Sequence, residues 1–372
     1  MPRNILIHTR NLIIPGGKQS YLKALQAHFN NNVSYFFYGN QEPIKESLPG
    51  FIKRFFYDYV TFYRLLKKEK FDVVHINTSL NLKSFFRDSI FTLISTSLKF
   101  KTIVFWHGWR WDFEQKYGRK VRPFFRATFG KADAMICLAG EFVECLKGYG
   151  YNRPIHLEST LVEEQILAHE PIVPLASKNE NTVILFLSRV EKEKGIYETI
   201  ESFKNIQKSF PFTNLKIAGI GSELDNVKKF VANKKIDNID FLGWVDGAEK
   251  LKVLSEADIF VLASYSEGMP ICILEAMATG LPVVTTNIGG LKDFFEDAHM
   301  GYEVGIKDAG DLQLKLEKLI DNTQLRTKIG NSNVSYVRKY FSPKTVCDRL
   351  ESIYESVIGE SDIVSNWIDA RK

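Results

Sequence analysis

The chain has 372 residues, 45% of them hydrophobic, with 49 Lys and Arg against 44 Asp and Glu. That length exceeds the ~250–300 residues at which a single core stops growing, so two domains are expected, and the ordinary composition excludes a disordered, collagen-like or disulfide-framed chain. No run approaches the ~18 apolar residues of a membrane span, and the apolar stretch in MPRNILIH is too short for a signal peptide, so the expected location is cytoplasmic, at most peripheral on the inner face of a membrane.

Charge is uneven along the chain. Residues 1–170 hold 24 Lys and Arg against 15 Asp and Glu, while the remainder is slightly acidic. A basic first half suits nucleic acid, an anionic substrate or an anionic lipid surface, or is simply a solvated surface. No recognised nucleic-acid module accompanies it, so no nucleic-acid partner is expected. Cys137, Cys145, Cys272 and Cys347 show no metal or disulfide spacing and read as small residues in a reducing compartment.

In chain order, NILIH, VSYFFY, DVVHI, TIVFW and AMICL read as buried strands, with helical stretches such as YLKALQAHF and FVECLKGYG between them. TVILFLS, NLKIAG, NIDFLGW, DIFVLAS and LPVVTT repeat the pattern after residue 180. Alternation of this kind marks βαβ units and parallel sheets. The expected organisation is a first doubly wound α/β domain over 1–165, a linker over 166–180, a second such domain over 181–340, and C-terminal helices over 341–372 that cross back to the first. Two such domains imply a cleft, with ligands at the carboxyl ends of strands.

The stretch SEGMPICILEAMATGLPVV carries the strongest chemical signal. DIFVLAS ends as a strand, a Gly-Pro loop follows, and ICILEAMA begins a helix with Pro270 in its first turn and Gly280 just past its end. The N–H groups of Met269, Ile271 and Cys272, behind Gly268, then stand at a helix N-terminus suited to phosphate. Glu267 in the loop and Glu275 in the helix flank that position as acceptors for hydroxyls. A nucleotide sugar has hydroxyls on both sides of a diphosphate. Spacing alone is weak evidence, because glutamate pairs at this separation arise by chance.

Three further features bear on this. In FLSRVEKEKGIYETI, Arg189 and Lys194 flank a loop after a strand, where a diphosphate would take a forked contact and a point charge; a solvated loop is the plainer alternative. Gly16 and Gly17 in NLIIPGGKQS precede a helix, where backbone can approach a phosphate, although a Gly-Gly pair is more often a turn. His107, at the end of TIVFWH, would face the cleft, although a lone histidine is more often structural. The IAGIGSEL stretch mimics a dinucleotide fingerprint, but its third glycine position is Leu224. No Asp-x-Asp or His/Cys cluster suggests a metal.

These residues together resemble family 4 of the retaining glycosyltransferases, whose GT-B fold pairs two facing Rossmann-like domains. The resemblance rests on the E-x7-E pair Glu267 and Glu275, the SRVEKEKG loop, the Gly-Gly loop and the HG after TIVFW. It covers nearly all of the second half and, in the first, mainly strand order and these short motifs. It implies that Arg189 and Lys194 hold a donor diphosphate, Glu275 the ribose, and Glu267 with the amides after it the donor sugar. Gly16 and Gly17 would close on the diphosphate, and His107 would lie beside the anomeric carbon and acceptor. FLGWVD would lie near the base, with Asp246 and Glu249 equally readable as a capping box.

The implied enzyme is a hexosyltransferase using a UDP- or GDP-sugar as co-substrate, with no cofactor and no metal. Its acceptor would be a saccharide or lipid-linked saccharide of bacterial surface polysaccharide or lipopolysaccharide synthesis. Two departures stand out: Ser188 where the family often has glycine, and HLESTLVEE where many members carry Pro-Asn-Gly. The aromatic-basic stretches FIKRFFYDYVTFYRLLKKEK and WRWDFEQKYGRKVRPFFRATFGK would rest on anionic lipid or, equally, face a core. A nucleotide-sugar epimerase and a catalytically silent nucleotide-sugar binder stay open as alternatives.

Overall fold

The computed structural model describes residues 2–14, 16–39, 48–169 and 181–359. The chain divides into two compact units, one running to Thr160 and resuming at Pro343, the other spanning Leu161–Ser342. In the first, strands β1 (Asn4–Thr9), β2 (Asn32–Phe37), β3 (Val73–Leu80), β4 (Lys101–Trp109), β5 (Ala134–Cys137) and β6 (Ile155–Leu157) alternate with helices α1 (Gly17–Leu25), α2 (Leu48–Lys68), α3 (Leu82–Ser97), α4 (Trp111–Ala127) and α5 (Gly140–Gly148). The sheet order is β2-β1-β3-β4-β5-β6, and every pairing is parallel.

Parallel strands covered by helices are buried on both faces, and the residues conform: Ile103, Val104, Phe105 and Trp106 of β4 have no exposed surface. Each of the five strand runs read from the first half is found. The three-residue β6 was missed, being too short for a periodic signal.

The second unit contains α6 (Glu164–Leu167), β7 (Val183–Leu187), α7 (Ile196–Ile206), β8 (Asn214–Ala218), α8 (Leu224–Lys234), β9 (Ile239–Gly243), α9 (Gly247–Ser255), β10 (Ile259–Leu262), α10 (Ile271–Ala278), β11 (Val283–Thr286), β12 (Gly301–Val304), α11 (Ala309–Ile320) and α12 (Thr323–Tyr340). Its order is β12-β11-β10-β7-β8-β9, again parallel throughout. The sequence therefore winds outward from β7 in one direction and from β10 in the other. The point where winding reverses lies between β7 and β10, the place at which open α/β sheets bind ligands beyond the carboxyl ends of their strands.

The last described helix, α13 (Pro343–Ile358), belongs to the first unit. It buries Val346, Leu350, Ile353 and Tyr354, and the Tyr354 hydroxyl lies 2.8 Å from Nδ1 of His75 on β3. Arg349 binds the Glu158 carboxylate at 2.5 Å, and Glu351 accepts the backbone N–H groups of Asn30 and Asn31 at 2.8 and 2.9 Å.

Glu158 and Ser159 belong to HLESTLVEE, so the departure from the Pro-Asn-Gly turn supplies a buried anchor for α13. The linker expected over 166–180 lies mostly outside the described residues, and its start is corrected. Glu164–Leu167 is helical, falls in the second unit and meets α10. The change of unit comes at Thr160, earlier than the expected 165.

Candidate functional site

The reversal point of the second sheet gathers the charged residues. After β7 the chain runs through Ser188 and Arg189 into a 3-10 turn, Lys192–Lys194, and then into α7. This loop is fastened on both sides. Val190 donates to the Ile220 carbonyl, Glu223 donates to that of Val190, and Glu191 accepts from the Ser222 hydroxyl at 2.6 Å. On the other side, Tyr265 donates to the Glu193 carbonyl at 2.8 Å.

Glycine makes the close approach possible. A Cβ at Gly195 would stand 2.1 Å from the Ala263 carbonyl oxygen, and one at Gly219 would stand 1.9 Å from that of Ser188. Both glycines also have positive φ, 72° and 143°, which side chains disfavour. Gly219, set aside as a false dinucleotide fingerprint, thus has a packing role: it lets two strand-end loops touch.

The loop after β10 brings Glu267 to Lys194. The Lys194 ammonium donates to Glu267 Oε1 at 2.5 Å, and the Ser264 hydroxyl donates to the same oxygen at 2.8 Å. Both charged side chains are largely withdrawn from water, 14% and 11% exposed. The Arg189 side chain, by contrast, is exposed, and its guanidinium makes no hydrogen bond or ion pair among the described residues.

Helix α10 starts at Ile271, with Pro270 as its N-cap and without a side-chain cap, one residue later than expected for the proline. The start is held from behind, since Gly290 donates to the Gly268 carbonyl at 2.5 Å. At its end Gly280 donates to Met277 and Leu281 to Ala276, the paired bonds of a Schellman terminus, as the position of Gly280 predicts.

Glu275 lies on the buried side of α10, and its partner was missed: Lys250 of α9 donates to Oε1 at 2.6 Å. Burial pushes the Glu275 carboxyl above its ordinary range, and the Lys250 charge beside it pulls it back. Each glutamate already carries a lysine, giving two cation–carboxylate pairs in the same unit. Nothing local marked Lys250, which sits in an ordinary capped helix. Asp246 caps that helix by accepting from Gly247 at 2.8 Å, while Glu249 donates only its backbone N–H, to the Asp246 carbonyl at 3.2 Å, so the full capping box is not formed.

In the first unit, His107 leaves β4 with its ring stacked on Phe105 at 3.9 Å and edge-on to Tyr21 at 5.5 Å. Burial, with Lys18 and His75 adding to it, holds its pKa well below the ordinary value, so the ring is neutral. Asn77 of β3 donates Nδ2 to the His8 carbonyl, which can only accept, and so turns Oδ1 toward His107 Nε2 at 2.5 Å. That arrangement places the imidazole proton on Nε2 and leaves the Nδ1 lone pair as the open acceptor. Gly16 is the N-cap of α1 and Gly17 its first residue, so the pair begins the helix rather than preceding it; a Cβ at Gly17 would meet only open space. Among the described residues no group of three or more His, Cys, Asp or Glu is placed to hold a metal.

Comparison with known proteins accounts for both units. Residues 171–334 match the family model for glycosyl transferases group 1, and residues 27–162 match that for glycosyltransferase family 4. The chain belongs to the family 4, group 1 glycosyltransferases. Among its relatives, the capsular polysaccharide biosynthesis glycosyltransferase CapM of Staphylococcus aureus is 30% identical over 60% of this chain and 58% of its own length. The lipopolysaccharide core biosynthesis glycosyltransferase LpsE of Rhizobium meliloti is 26% identical over 59% of this chain and 63% of its own. The chain thus spans less than two thirds of the length of these curated relatives.

Among solved structures, sucrose-phosphate synthase from Thermosynechococcus elongatus superposes with a TM-score of 0.76 over 96% of this chain and all of that one, at 16% identity. HepE of Anabaena, in complex with UDP and glucose, gives 0.73 over 95% and 100%, also at 16%. At this identity the likeness shows the fold, and that fold is GT-B.

Proposed function

We propose that this glycosyltransferase moves a sugar from a UDP- or GDP-sugar to a hydroxyl of a saccharide or lipid-linked saccharide, with retention at the anomeric carbon. The setting would be bacterial surface polysaccharide or lipopolysaccharide synthesis. The observation that carries the reading is the pairing of Lys194 with Glu267 across the reversal point of the second sheet, beside the N-terminus of α10.

Negative charge develops on the departing diphosphate, and Arg189, Lys194 and the N–H groups of Gly268, Met269 and Ile271 supply fixed positive potential to stabilise it. No metal is needed for that role. Glu267 takes the sugar hydroxyls and Glu275 the ribose, each through the carboxylate oxygen its lysine does not hold. In the first unit, Gly16 and Gly17 are proposed to meet a phosphate and neutral His107 to offer Nδ1 to a hydroxyl.

The kinship with CapM and LpsE, named for capsular polysaccharide and lipopolysaccharide core synthesis, supports the pathway class. The UDP held by HepE supports a nucleotide-linked donor. A thermal-shift screen of UDP-, GDP- and ADP-sugars tests the reading, because a ligand at 100 times its Kd stabilises by about 2.7 kcal/mol. One base is expected to raise Tm by several degrees, and product analysis with acceptor should then show transfer. No shift with any of them would sink the reading. Turnover without acceptor would instead indicate an epimerase, and binding without turnover a silent binder.

The proposed location is the cytoplasmic face of a membrane, and α2 supports it. Its Tyr59, Phe62 and Leu66 are buried, while Phe56, Tyr57, Val60 and Tyr63 are 64, 65, 47 and 45% exposed on another side, among exposed Lys53, Arg64 and Lys67. Among the described residues no helix is long and apolar enough to cross a membrane. An exposed aromatic-basic face on a helix already anchored by its opposite face suits shallow insertion among anionic headgroups. Cosedimentation with phosphatidylglycerol vesicles, and not with phosphatidylcholine vesicles, is the expected result.

A further inference from the structure

We infer that Lys250 is a positioning residue for donor binding, holding Glu275 as an oriented, ionised carboxylate beneath the ribose. The inference rests on the reading of Glu275 as the ribose acceptor and adds to it a residue on a different helix. Glu275 is 6% exposed at its side chain and Lys250 15%, so neither charge is solvated by bulk water. A carboxyl withdrawn to that degree favours its neutral form unless a cation faces it.

The titratable groups whose fields reach Glu275 are Lys250 and Asp246 of α9 and Glu163 just before α6, and its own field reaches Cys272 one turn earlier on α10. On the remaining side, Gly330 of α12 packs against Gly280. Among these described groups, Lys250 is the cation acting on Glu275, set against the carboxylates of Asp246 and Glu163.

The geometry also divides the carboxylate. Lys250 takes Oε1, and no described residue takes Oε2, which is the atom left to accept hydroxyls. A hydroxyl donating to an ionised carboxylate makes a charge-assisted bond about twice as strong as one to a neutral carboxyl. Removing Lys250 would let burial and the two neighbouring acids raise the Glu275 pKa further. The carboxyl would then keep its proton to higher pH than in the wild type and recover its charge as pH rises further.

Calorimetric binding of UDP, GDP and ADP to the full chain between pH 6 and 8.5 tests this, read as the ratio of variant to wild-type Kd so that ionisation of the nucleotide cancels. Lys250→Met is expected to weaken binding about 10-fold at pH 6, with the ratio shrinking as pH rises, whereas Lys250→Arg stays within about 3-fold throughout. In a Glu275→Gln background, where no carboxylate remains to be kept ionised, Lys250→Met should change Kd less than about 2-fold at any pH. Lys250→Gln, read the same way, replaces Lys250→Met if that variant does not fold.

Wild-type-like binding by Lys250→Met, or a loss equal at every pH and undiminished in the Glu275→Gln background, would overturn the inference while leaving the nucleotide reading intact. A wild type that binds none of the three nucleotides would overturn both.

Discussion

Arg189→Ala is expected to lower kcat/KM for glycosyl transfer by about 100-fold while leaving Tm within about 1 °C of wild type. The two halves of that result have separate causes. The Arg189 guanidinium is exposed and bonds no other described residue, so folding gives it no structural duty to lose. Its position is nonetheless fixed by the backbone: Ser188 donates to the Ala218 carbonyl at 3.1 Å and Val190 to that of Ile220 at 3.0 Å. A donor held on a rigid strand-end loop costs little reorganisation when charge develops on a leaving group, which is why the loss of one such donor removes 10²–10³ in rate in comparable sites.

Lys194→Ala would also lose rate but is a poorer probe. It strands the Glu267 carboxylate, itself only 11% exposed, and so lowers stability as well. Comparing initial rates and melting curves of the two variants separates the effects. An Arg189→Ala enzyme with wild-type kcat/KM would remove this residue from the diphosphate site.

The second large effect is on folding. Arg349→Ala is expected to cost about 3–5 kcal/mol and to lower Tm by roughly 10 °C. Arg349 binds both oxygens of Glu158 and the Ser159 hydroxyl, and the Glu158 side chain is 1% exposed. Truncating the arginine leaves a buried carboxylate without its counter-charge, the expensive way to break such a pair. It also loosens α13, whose other ties to the first unit include its apolar face, the Tyr354–His75 contact and the Glu351 carboxylate on the turn at Asn30 and Asn31. A Glu158→Gln, Arg349→Met double variant keeps an acceptor for the Ser159 N–H and removes both charges, so it should recover most of the loss. Denaturant unfolding of the three proteins measures this, and equal destabilisation of single and double variants would rule out a charge effect.

Much of this molecule was legible before its structure. Buried parallel strands must be nearly continuous apolar runs, so ten of the strands announced themselves through local composition, and strand–loop–helix punctuation located Glu267, Gly280 and the SRVEKEKG loop. The exceptions were β6, only three residues long, and β12, where Glu303 interrupts the apolar run that marks a buried strand.

What local pattern does not contain is which strands become neighbours. That is set by how helices pack over each sheet, and it alone decides that Lys194 meets Glu267 across 73 residues and that Arg349 meets Glu158 across 191. Lys250 illustrates the limit most clearly: as a letter it is one of many lysines on a helix surface. It becomes partner to Glu275 only because the fold brings its ammonium across 25 residues of chain to a buried carboxylate, where an uncompensated charge is costly.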